Sequence, residues 1–540
     1  MRNLTGVRAA TSWTRIREML MKKKTKRRLA FGILLLVVLC GCGGKEKAAE
    51  PKKEEPEKQE EIKVVTSEDP KEREETPEAQ TDVRNGILVA IDPGHQGFHV
   101  DMSATEPNAP GSAQMKVKAS TGTVGNYSGI PEYELVLDIS LRVKAELQAQ
   151  GYDVILTRED NDTAISNAER ATLANQAGAD VMVRIHANSS ENAGANGALA
   201  LVPSASNAYV GQLSKESTRL AETVLSAYCQ ETGMANDGLM ENDSMTGINW
   251  STIPVMILEM GFMSNEADDL HMADGAYRTK MVSGIVNGLN TYFGQTPKGT
   301  RLSEMENQVG QTVQDAQAAG EEWSLYARDL VSGNYAITGS RKMQAASLIK
   351  LFIAGAVYEN QEAVQAQEAA AGETQELLKR MLSASDNEAA NTLVTRLGSG
   401  DAAAGMEKVN AFCSAHRYFD THMGRLLLAS NAEDDNYTSV SDCGHFLEEC
   451  QSGRLAGAGE ILGFLREQER RGKIPAGLPE GTAVANKTGE LSDVENDAAV
   501  VTVEGKSYIL CVMSQKVQTP QAAVERIQRL SALVYETMKQ

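Results

Sequence analysis

The chain has 540 residues, of which 41% are hydrophobic and 23% charged, and its formal net charge is −20. This length exceeds that of one ordinary domain and predicts two or more. The acidic balance argues against a nucleic-acid partner, because a polyanion would be repelled by most of the surface.

The amino terminus predicts export and a lipid anchor. A basic run, KKKTKRR, precedes an apolar run over residues 29–39 that is too short to span a bilayer as a helix. Basic residues, a short apolar core and small residues are typical of a secretory signal. The sequence Leu39-Cys40-Gly41-Cys42 resembles a bacterial lipobox, with Cys42 as the lipidated residue. We therefore expect a lipoprotein signal peptide over residues 1–42.

This signal has two open alternatives. A short membrane anchor that is never cleaved would have the same composition, but Cys42 lies where cleavage would leave it, which favours lipidation. The segment before the basic run is long for a signal, so Met19 and Met21 are alternative translation starts. Either way, we expect an exported protein held on the outer face of the cytoplasmic membrane, within reach of the cell wall.

Residues 43–85 predict a disordered charged linker. They consist mostly of Lys, Glu and Pro with few apolar residues, so they cannot bury a core. Mixed charge and Pro favour an extended spacer. Five cysteines follow this segment without metal-ligand spacing, and we expect them to be buried free thiols.

Residues 87–97, ILVAIDPGHQG, predict a buried strand that ends in a turn. The apolar run stops at the dipeptide Pro93-Gly94. It leaves His95 at the carboxyl end of the strand, the edge at which open α/β sheets place their sites. Three more candidate residues stand at the ends of later elements: Glu132, His186 and Glu259.

Strand and helix patterns alternate through residues 86–295, which we expect to form the first domain. Strands are predicted over 87–91, 152–157, 180–185, 197–202 and 254–258, and helices from Glu132 to about 150 and over 166–177, 206–232 and 274–292. This alternation predicts an α/β fold with a mostly parallel sheet covered by helices on both faces. The long polar segment 96–131 is interpreted as a wall of the substrate groove.

The four candidate residues suit a hydrolytic metal centre. Catalytic zinc takes three nitrogen or oxygen ligands and keeps one position for a water, whose pKa it lowers toward ~7. A carboxylate outside the ligand set can then act as general base. A lone histidine at a strand end is more often structural, so the prediction rests on the set.

The motifs around these residues resemble those of zinc-dependent N-acetylmuramoyl-L-alanine amidases. His95 lies in D-P-G-H, Glu132 precedes a helix, His186 lies in R-I-H-A-N where the family has S-I-H-A-N, and Glu259 lies in L-E-M-G-F, similar to V-E-x-G-F. The resemblance implies that His95, Glu132 and His186 bind Zn²⁺. It also implies that Glu259 is the catalytic acid-base, and that peptidoglycan is the substrate.

Three neighbouring residues qualify this assignment. Glu134 is an alternative ligand to Glu132, because helix phase turns only one of them inward. His99 is interpreted as a loop residue. Arg184, which replaces the family's Ser, lies outside the ligand set.

Residues 296–321 are polar, with no sustained apolar stripe, and are interpreted as an interdomain linker. Residues 322–540 are expected to form the second domain. It opens with a predicted hairpin over 323–338 and closes with a hairpin over 497–513 and a helix over 519–538. We expect an α+β domain with an antiparallel sheet and a helical part.

Three motifs follow each other in this second region. Ser347 and Lys350 form S-x-x-K on one helix face, where an amine can activate a hydroxyl nucleophile. An S-D-N sequence at 385–387 and a K-T-G sequence at 487–489 come next. This order resembles the penicillin-binding protein and class A β-lactamase superfamily.

The resemblance implies a role for each motif. Ser347 would be the acylated nucleophile, Lys350 its base, and Ser385 a proton relay. The remaining residues implied to contact substrate are Asn387 for the amide, Lys487, Thr488 and Gly489 for the carboxylate, and the backbone N–H groups of Ser347 and Glu490 for the oxyanion.

One departure from the class A pattern concerns deacylation. The stretch 423–429, MGRLLLA, offers Leu427 where class A enzymes carry the Glu that activates the deacylating water, and Glu433 is out of register. Fast β-lactam hydrolysis is therefore not expected. A D-alanyl-D-alanine peptidase, a slow acylating binder and an inactive recognition domain all stay open.

Together these features predict a peptidoglycan hydrolase that cuts the amide between N-acetylmuramic acid and L-alanine. A serine acyl-enzyme domain would act on D-Ala-D-Ala peptides or β-lactams. The alternatives are an exported peptidoglycan-binding protein with one inactive domain, and an active β-lactamase. We expect a monomer with no nucleic-acid partner.

Overall fold

The structure is a computed structural model that describes residues 84–539. The predicted signal peptide, Cys42 and nearly all of the predicted tether lie outside the described residues. Among residues 84–539, no helix is long and apolar enough to cross a membrane.

The half of the described chain up to Phe293 is built on a six-stranded sheet. The six strands of this sheet are β1 (Leu88–Pro93), β4 (Asp153–Leu156), β5 (Val181–Asn188), β6 (Ala198–Val202), β7 (Asn236–Glu241) and β8 (Val255–Phe262), and a separate two-stranded sheet consists of β2 (Thr105–Pro107) and β3 (Met115–Val117). The helices of this half are α1 (Glu132–Ala149), α2 (Asn167–Ala177), α3 (Ser214–Thr232), α4 (Thr246–Asn249), α5 (Glu266–Ala273) and α6 (Gly275–Phe293).

The sheet has the strand order β4-β1-β5-β8-β6-β7 and is parallel except where β6 pairs with β8. The two faces of β1 show why helices cover both sides. Val89 and Ile91 join the buried cluster formed with α1, α3 and α6, whereas Leu88 and Ala90 join the cluster that includes α2 and α4. The predicted α/β class with a mostly parallel sheet is confirmed.

Two strand pairings went unpredicted. The β2–β3 hairpin interrupts the polar segment 96–131, and each of its strands has only three residues. Strand β7, NDGLME, pairs only with β6 at the sheet edge and is mostly exposed. Neither sequence contains the apolar run or alternation by which buried strands are identified.

The half from Ser303 onward surrounds a five-stranded antiparallel sheet of order β10-β9-β15-β14-β13. The five strands of this sheet are β9 (Glu322–Asp329), β10 (Tyr335–Thr338), β13 (Ala483–Leu491), β14 (Val494–Val503) and β15 (Lys506–Gln515), and a separate two-stranded sheet consists of β11 (Met343–Gln344) and β12 (Tyr437–Thr438). The helices of this half are α7 (Ser303–Ala318), α8 (Ile349–Glu359), α9 (Gln361–Gln365), α10 (Glu373–Lys379), α11 (Asn387–Leu397), α12 (Ala402–Ala415), α13 (Val440–Gln451), α14 (Ala458–Arg466) and α15 (Pro520–Met538).

The sheet is antiparallel and helices cover both of its faces. The predicted α+β domain with an antiparallel sheet and a helical part is therefore confirmed. Strand alternation sends Tyr326 and Ile509 toward a large helical cluster that includes α8 and α13. It sends Leu325 and Leu510 toward α7 and α15 on the other face.

Helix α7 lies inside the segment that the sequence analysis interpreted as a linker without an apolar stripe. Its Met305, Val309, Val313 and Ala316 are buried against the sheet. Their spacing of four, four and three is helical, but the polar residues between them hide it. These sixteen residues are therefore part of the folded second half, and the interpretation as a plain linker does not hold for them.

The carboxyl-terminal part of α1 is buried in the second half. Ala145 and Ala149 belong to the large helical cluster of that half. The side chain of Arg328 donates to the carbonyl of Ala149, and the Ser340 hydroxyl donates to Gln148 at 2.6 Å. The same helix begins at Glu132, so one rigid element connects the first candidate site to the second half.

All five cysteines of the described chain are free, as predicted. Four are buried in the second half: Cys413, Cys443, Cys450 and Cys511. Cys229 on α3 is only partly buried.

Candidate active sites

The turn after β1 is fixed by buried arginines. Asp92 is fully buried and accepts from Arg170 at 2.8 Å and from Arg184 at 2.6 Å. Arg170 also donates to the carbonyl of His95 at 2.7 Å, and Arg158 donates to the carbonyl of Gly94 at 2.8 Å. These bonds hold the backbone of the turn that carries the His95 imidazole.

Two backbone features of the turn fit this role. His95 has φ +63°, a left-handed conformation that a non-glycine residue adopts only when its surroundings enforce it. Gly94 lies directly over the His186 ring, and a β-carbon there would be 2.2 Å from its Cε1 atom. A glycine is therefore required where the two histidines meet.

His95, Glu132 and His186 converge on one point. The Nε2 atom of His95 lies 3.0 Å from Oε1 of Glu132 and 3.0 Å from Nδ1 of His186, and the latter is 3.3 Å from the same carboxylate oxygen. Within the described residues this is the one cluster of three or more ligand-type side chains that could hold a metal ion. Two nitrogens and one oxygen form a donor set of the zinc type.

Neighbouring backbone groups orient these side chains. The Nδ1 atom of His95 is 2.9 Å from the carbonyl of Ser120, which leaves Nε2 free to face the cluster. The second oxygen of Glu132 accepts from the Thr123 N–H at 2.9 Å, and the first accepts from Ala187 N–H at 3.0 Å. Residues 120–123 belong to the long polar segment, which therefore forms a wall of the site as predicted.

Electrostatics favour the metal-binding protonation states. Burial alone would raise the pKa of Glu132, but hydrogen bonds with His186 and His95 hold it well below its usual range. Burial lowers the pKa of His186 to about 4, so its ring is neutral at pH 7. An ionised carboxylate and a neutral imidazole are the forms in which these residues bind metals.

Glu259 stands beside the cluster without joining it. It lies on β8 directly opposite His186 in the strand register. Burial, together with the negative charge of Glu132, raises its pKa to about 8. Its Oε2 atom is buried without a hydrogen-bond partner among the described residues. A carboxyl group in this position can accept and return a proton near neutral pH.

The alternatives raised from the sequence lie away from the cluster. Glu134 is exposed, so the phase of α1 turns Glu132 inward instead. His99 pairs with Asp162 at the surface, at 2.8 Å. A cavity of about 370 Å³ opens over the four predicted residues and is also lined by Lys116 and Arg184.

The structure brings the serine-type motifs together at the start of α8. The ammonium group of Lys350 lies 3.1 Å from the Ser347 hydroxyl, 2.7 Å from Oδ1 of Asn387 and 3.2 Å from the Ser385 hydroxyl. Lys487 donates to that same Ser385 hydroxyl at 2.8 Å. A continuous chain of polar contacts therefore joins all three motifs.

Burial tunes the two lysines. It lowers the pKa of Lys350 to about 7 against the opposing charge of Asp386, and Arg470 adds to the lowering, so the amine is available as a base at neutral pH. Burial and the charge of Lys350 also lower the pKa of Lys487. Ser385 has φ +62°, a conformation that points to a functional constraint at this position.

The K-T-G strand packs closely against the nucleophile. A β-carbon on Gly489 would lie 2.9 Å from the carbonyl of Ala345 and 3.3 Å from the Ser347 nitrogen. Thr488 is buried, and the side chain of Glu490 pairs with Arg470 at 2.7 Å. Glycine at 489 thus permits the strand edge to approach the Ser347 N–H group.

Leu427 lies next to this site but brings no carboxylate. The side chain of Asn391 accepts from the Leu427 N–H at 2.9 Å and donates to its carbonyl at 3.1 Å. Asn391 is one helical turn beyond Asn387, the partner of Lys350. Glu433 is exposed, so no glutamate from this loop replaces Leu427.

The arginines that clamp the first site were missed from the sequence. Arg158 and Arg170 are buried, and most of their hydrogen bonds go to backbone carbonyls. In a single sequence an arginine on a helix or after a strand has the pattern of a surface residue. The position of Arg158 directly after the predicted strand 152–157 was the only available signal, and Arg170 had none.

Comparisons with known proteins agree with this division. A family profile described as N-acetylmuramoyl-L-alanine amidase matches residues 89–291. An N-acetylmuramoyl-L-alanine amidase of Mycobacterium tuberculosis is 30% identical over 208 residues, which are 38% of this chain and 85% of that protein. The chain belongs to this amidase family. The amidase LytC of Bacillus subtilis is 28% identical over 225 residues, 40% of this chain and 39% of its own length.

The second half carries a second family. A profile described as the β-lactamase enzyme family matches residues 305–369 and 364–538. The chain is thus a fusion of an amidase-family region with a β-lactamase-family region. Among solved structures, the amidase Ami1 of Mycobacterium smegmatis is similar to this chain at 25% sequence identity. The match covers 40% of this chain and 99% of Ami1, with a TM-score of 0.36. The structure of a protein named PBP-A is similar at 24% sequence identity. That match covers 45% of this chain and 98% of PBP-A, with a TM-score of 0.39.

Proposed function

We propose that this chain is an exported, zinc-dependent peptidoglycan hydrolase that cuts the amide between N-acetylmuramic acid and L-alanine. The observation that carries the proposal is the convergence of His95, Glu132 and His186, with Glu259 facing them from the next strand. The names of the relatives from M. tuberculosis and B. subtilis support the same bond.

The three side chains fit a zinc ion. Ligand atoms bound tetrahedrally at about 2.1 Å from zinc lie roughly 3.4 Å from one another. The observed separations of 3.0 to 3.3 Å between the three donor atoms are close to this value. Bound zinc would supply a water of lowered pKa and would polarise the scissile carbonyl.

Glu259 would move the proton. Its carboxylate takes a proton from the attacking water, whose oxygen bonds to the lactyl carbonyl carbon. The carbon–nitrogen bond then breaks, and Glu259 returns the proton to the departing amine of L-alanine. The products are a free lactyl carboxylate on the sugar and a peptide with a free amino terminus.

We also propose that the second half forms an acyl-enzyme at Ser347. Lys350 accepts the hydroxyl proton as Ser347 attacks a carbonyl, and Ser385 and Lys487 continue the proton path. A D-alanyl-D-alanine stem terminus or a β-lactam would be the acyl donor. The absence of a carboxylate at Leu427 favours a slowly deacylating peptidase over a β-lactamase.

The location follows from the sequence. Lipidation at Cys42 and a charged spacer would tether both halves outside the cytoplasmic membrane. Both would then act on the same stem peptide, the first at its L-alanine end and the second at its D-alanine end.

Mass spectrometry of purified peptidoglycan digested with the zinc-loaded chain tests the first proposal. The expected products are glycan strands with free lactyl groups and peptides that begin with L-alanine. Intact muropeptides after prolonged digestion, from a folded protein that contains zinc, would favour a binding protein instead. Labelling with a fluorescent penicillin tests the second, and failure of Ser347 to form an adduct would indicate an inactive domain.

A further inference from the structure

Arg184 occupies a position that the amidase mechanism does not explain. It lies on β5 two residues before His186, so both side chains point to the same face of the sheet. It is 3% exposed, yet it lines the catalytic cavity. The motif that this stretch resembles, S-I-H-A-N, has Ser at this position and assigns no role to a guanidinium.

The guanidinium is held in one place. Its Nε atom donates to Asp92 at 2.6 Å, and its Nη2 atom donates to Asn167 at 2.6 Å. A β-carbon on Gly247 would lie 1.5 Å from Nη1, so only glycine leaves room for this side chain. Nη1 has no hydrogen-bond partner among residues 84–539, and Gly247 and Asn167 line the same cavity. An anchored guanidinium with one unused nitrogen therefore lines the cavity.

The charge beneath this part of the cavity is positive. Two cations, Arg170 and Arg184, pair with the single negative charge of Asp92, which leaves one positive charge in excess. Arg158 lies near Arg170 and bonds neutral oxygens. Two carboxylates, Glu132 and Glu259, also line the cavity, and Glu259 is near enough to Arg184 for the guanidinium charge to oppose the rise in its pKa.

A second cation faces the same end. Lys116, on β3, lines the cavity, and its ammonium group donates to the carbonyl of Ser244. Ser244 and Gly247 belong to one short segment, so Lys116 and Arg184 flank the same side of the cavity. Each of these two cations has N–H groups that are not used in the contacts described above. Two such cations on one side of a cavity favour a carboxylate as ligand.

The backbone spacing between Arg184 and His186 allows one carboxylate of the proposed substrate to reach the Arg184 end of the cavity while the scissile carbonyl is at the metal cluster. Residues two apart on a strand, such as Arg184 and His186, are separated by about 6.6 Å. In a stem peptide that begins L-alanyl-γ-D-glutamate, the free α-carboxylate is two residues from the scissile carbonyl, at most about 7 Å in an extended chain. We infer that Arg184 and Lys116 form a subsite for the α-carboxylate of the second stem residue. This inference rests on the proposed amidase function.

Two matched muropeptides test it, one with D-glutamate and one with D-isoglutamine at the second position. A carboxamide cannot accept a charge-assisted pair, so the zinc-loaded chain should cleave the carboxylate form with at least ~10-fold higher kcat/KM. In Arg184→Gln the ratio should fall to nearly 1, and Arg184→Lys should recover part of it. Lys116→Gln should lower the ratio mainly through KM, whereas Lys118→Gln, two residues further along, should keep it.

The outcomes separate the inference from the function on which it rests. Cleavage of both substrates at equal rates by the wild-type chain would overturn the subsite but leave the amidase. Calorimetric binding of the two stem tripeptides to the Glu259→Gln chain gives a second readout. Preference for the carboxylate peptide without cleavage by the wild type would support the subsite and contradict the amidase, and no preference in either assay would overturn the subsite.

Because Arg184 is buried, its replacement could disturb the fold. The Lys116→Gln variant protects the test from this ambiguity, since the side chain is partly exposed on a hairpin. If Lys116→Gln and Lys118→Gln give the same substrate ratio, Lys116 has no part in the subsite.

Discussion

The ammonium group of Lys144 lies 2.6 Å from Asp420, and this ion pair is buried between the two halves of the chain. Lys144 is on α1, the helix that begins with Glu132, whereas Asp420 follows α12 in the β-lactamase-family region. The same ammonium group also binds Glu159 at 2.6 Å. The two family regions are therefore joined by more than a linker.

Replacement of Lys144 by Met should destabilise the protein. The change leaves Asp420 buried without its cation, which typically costs about 3 kcal/mol in free energy of unfolding. Arg142→Met on the same helix is the control, because Arg142 forms a surface pair with Asp138 that contributes at most about 1 kcal/mol. Urea denaturation measures both, and equal stability of the two variants would show that the contact between the halves contributes little.

Much of the fold could be predicted from the sequence, whereas the contacts between the two halves could not. The apolar run of β1 and the turn at Pro93-Gly94 are local signals, so the strand and the position of His95 could be predicted. The choice between Glu132 and Glu134 needed the helix phase, and in the structure Glu132 is in the cluster whereas Glu134 is exposed, so Glu132 stays the predicted ligand. Residues whose burial depends on distant segments could not be found in this way.

Ala145 and Arg170 show why. Ala145 looks like one more apolar residue of an amphipathic helix, but its partners are more than 180 residues away. Arg170 is on a short helix whose sequence is largely polar, and it is buried because the β1 turn offers it carbonyl groups. Such partners are specified by tertiary packing and leave no periodic pattern in one sequence.

Gly94→Ala should weaken metal binding. The added methyl would fall 2.2 Å from the His186 ring, which would have to move away from His95. We expect the zinc affinity to fall at least ~10-fold, in line with disturbed ligand orientation in other metal sites. Gly275→Ala is the control, since nothing lies within 4 Å of that position. Competition with a chromophoric chelator measures both, and unchanged affinity in Gly94→Ala would contradict the assigned geometry.

Acylation of Ser347 should depend on pH through Lys350. The pKa of this amine is lowered to about 7, chiefly by burial, and only the neutral form can accept the hydroxyl proton. The rate constant for reaction with a fluorescent penicillin should therefore rise about tenfold per pH unit below pH 7 and level off near pH 8. Circular dichroism of the same samples controls for folding at each pH. A rate that is flat between pH 5.5 and 7 would exclude Lys350 as the base.

Leu427→Glu should shorten the life of the penicillin adduct. The new carboxylate would stand beside α11, the helix whose Asn387 contacts Lys350, and could activate a water, an effect of roughly 100-fold for general base catalysis. Leu428→Glu is the control, because that neighbour is 81% exposed and its carboxylate would lie in solvent. Adduct loss is followed by mass spectrometry, and equal lifetimes in both variants would show that Leu427 does not limit deacylation.

The most direct test of the account measures zinc content and muropeptide cleavage together in Glu259→Gln. Glu259 lies outside the three-ligand cluster, so the variant should keep about one zinc per chain, while cleavage falls ~100-fold or more because the general base is lost. Glu266→Gln, exposed at the start of α5, should match the wild type in both measurements. Loss of zinc from Glu259→Gln, or cleavage at the wild-type rate, would contradict the assignment of three residues to the metal and the fourth to the proton.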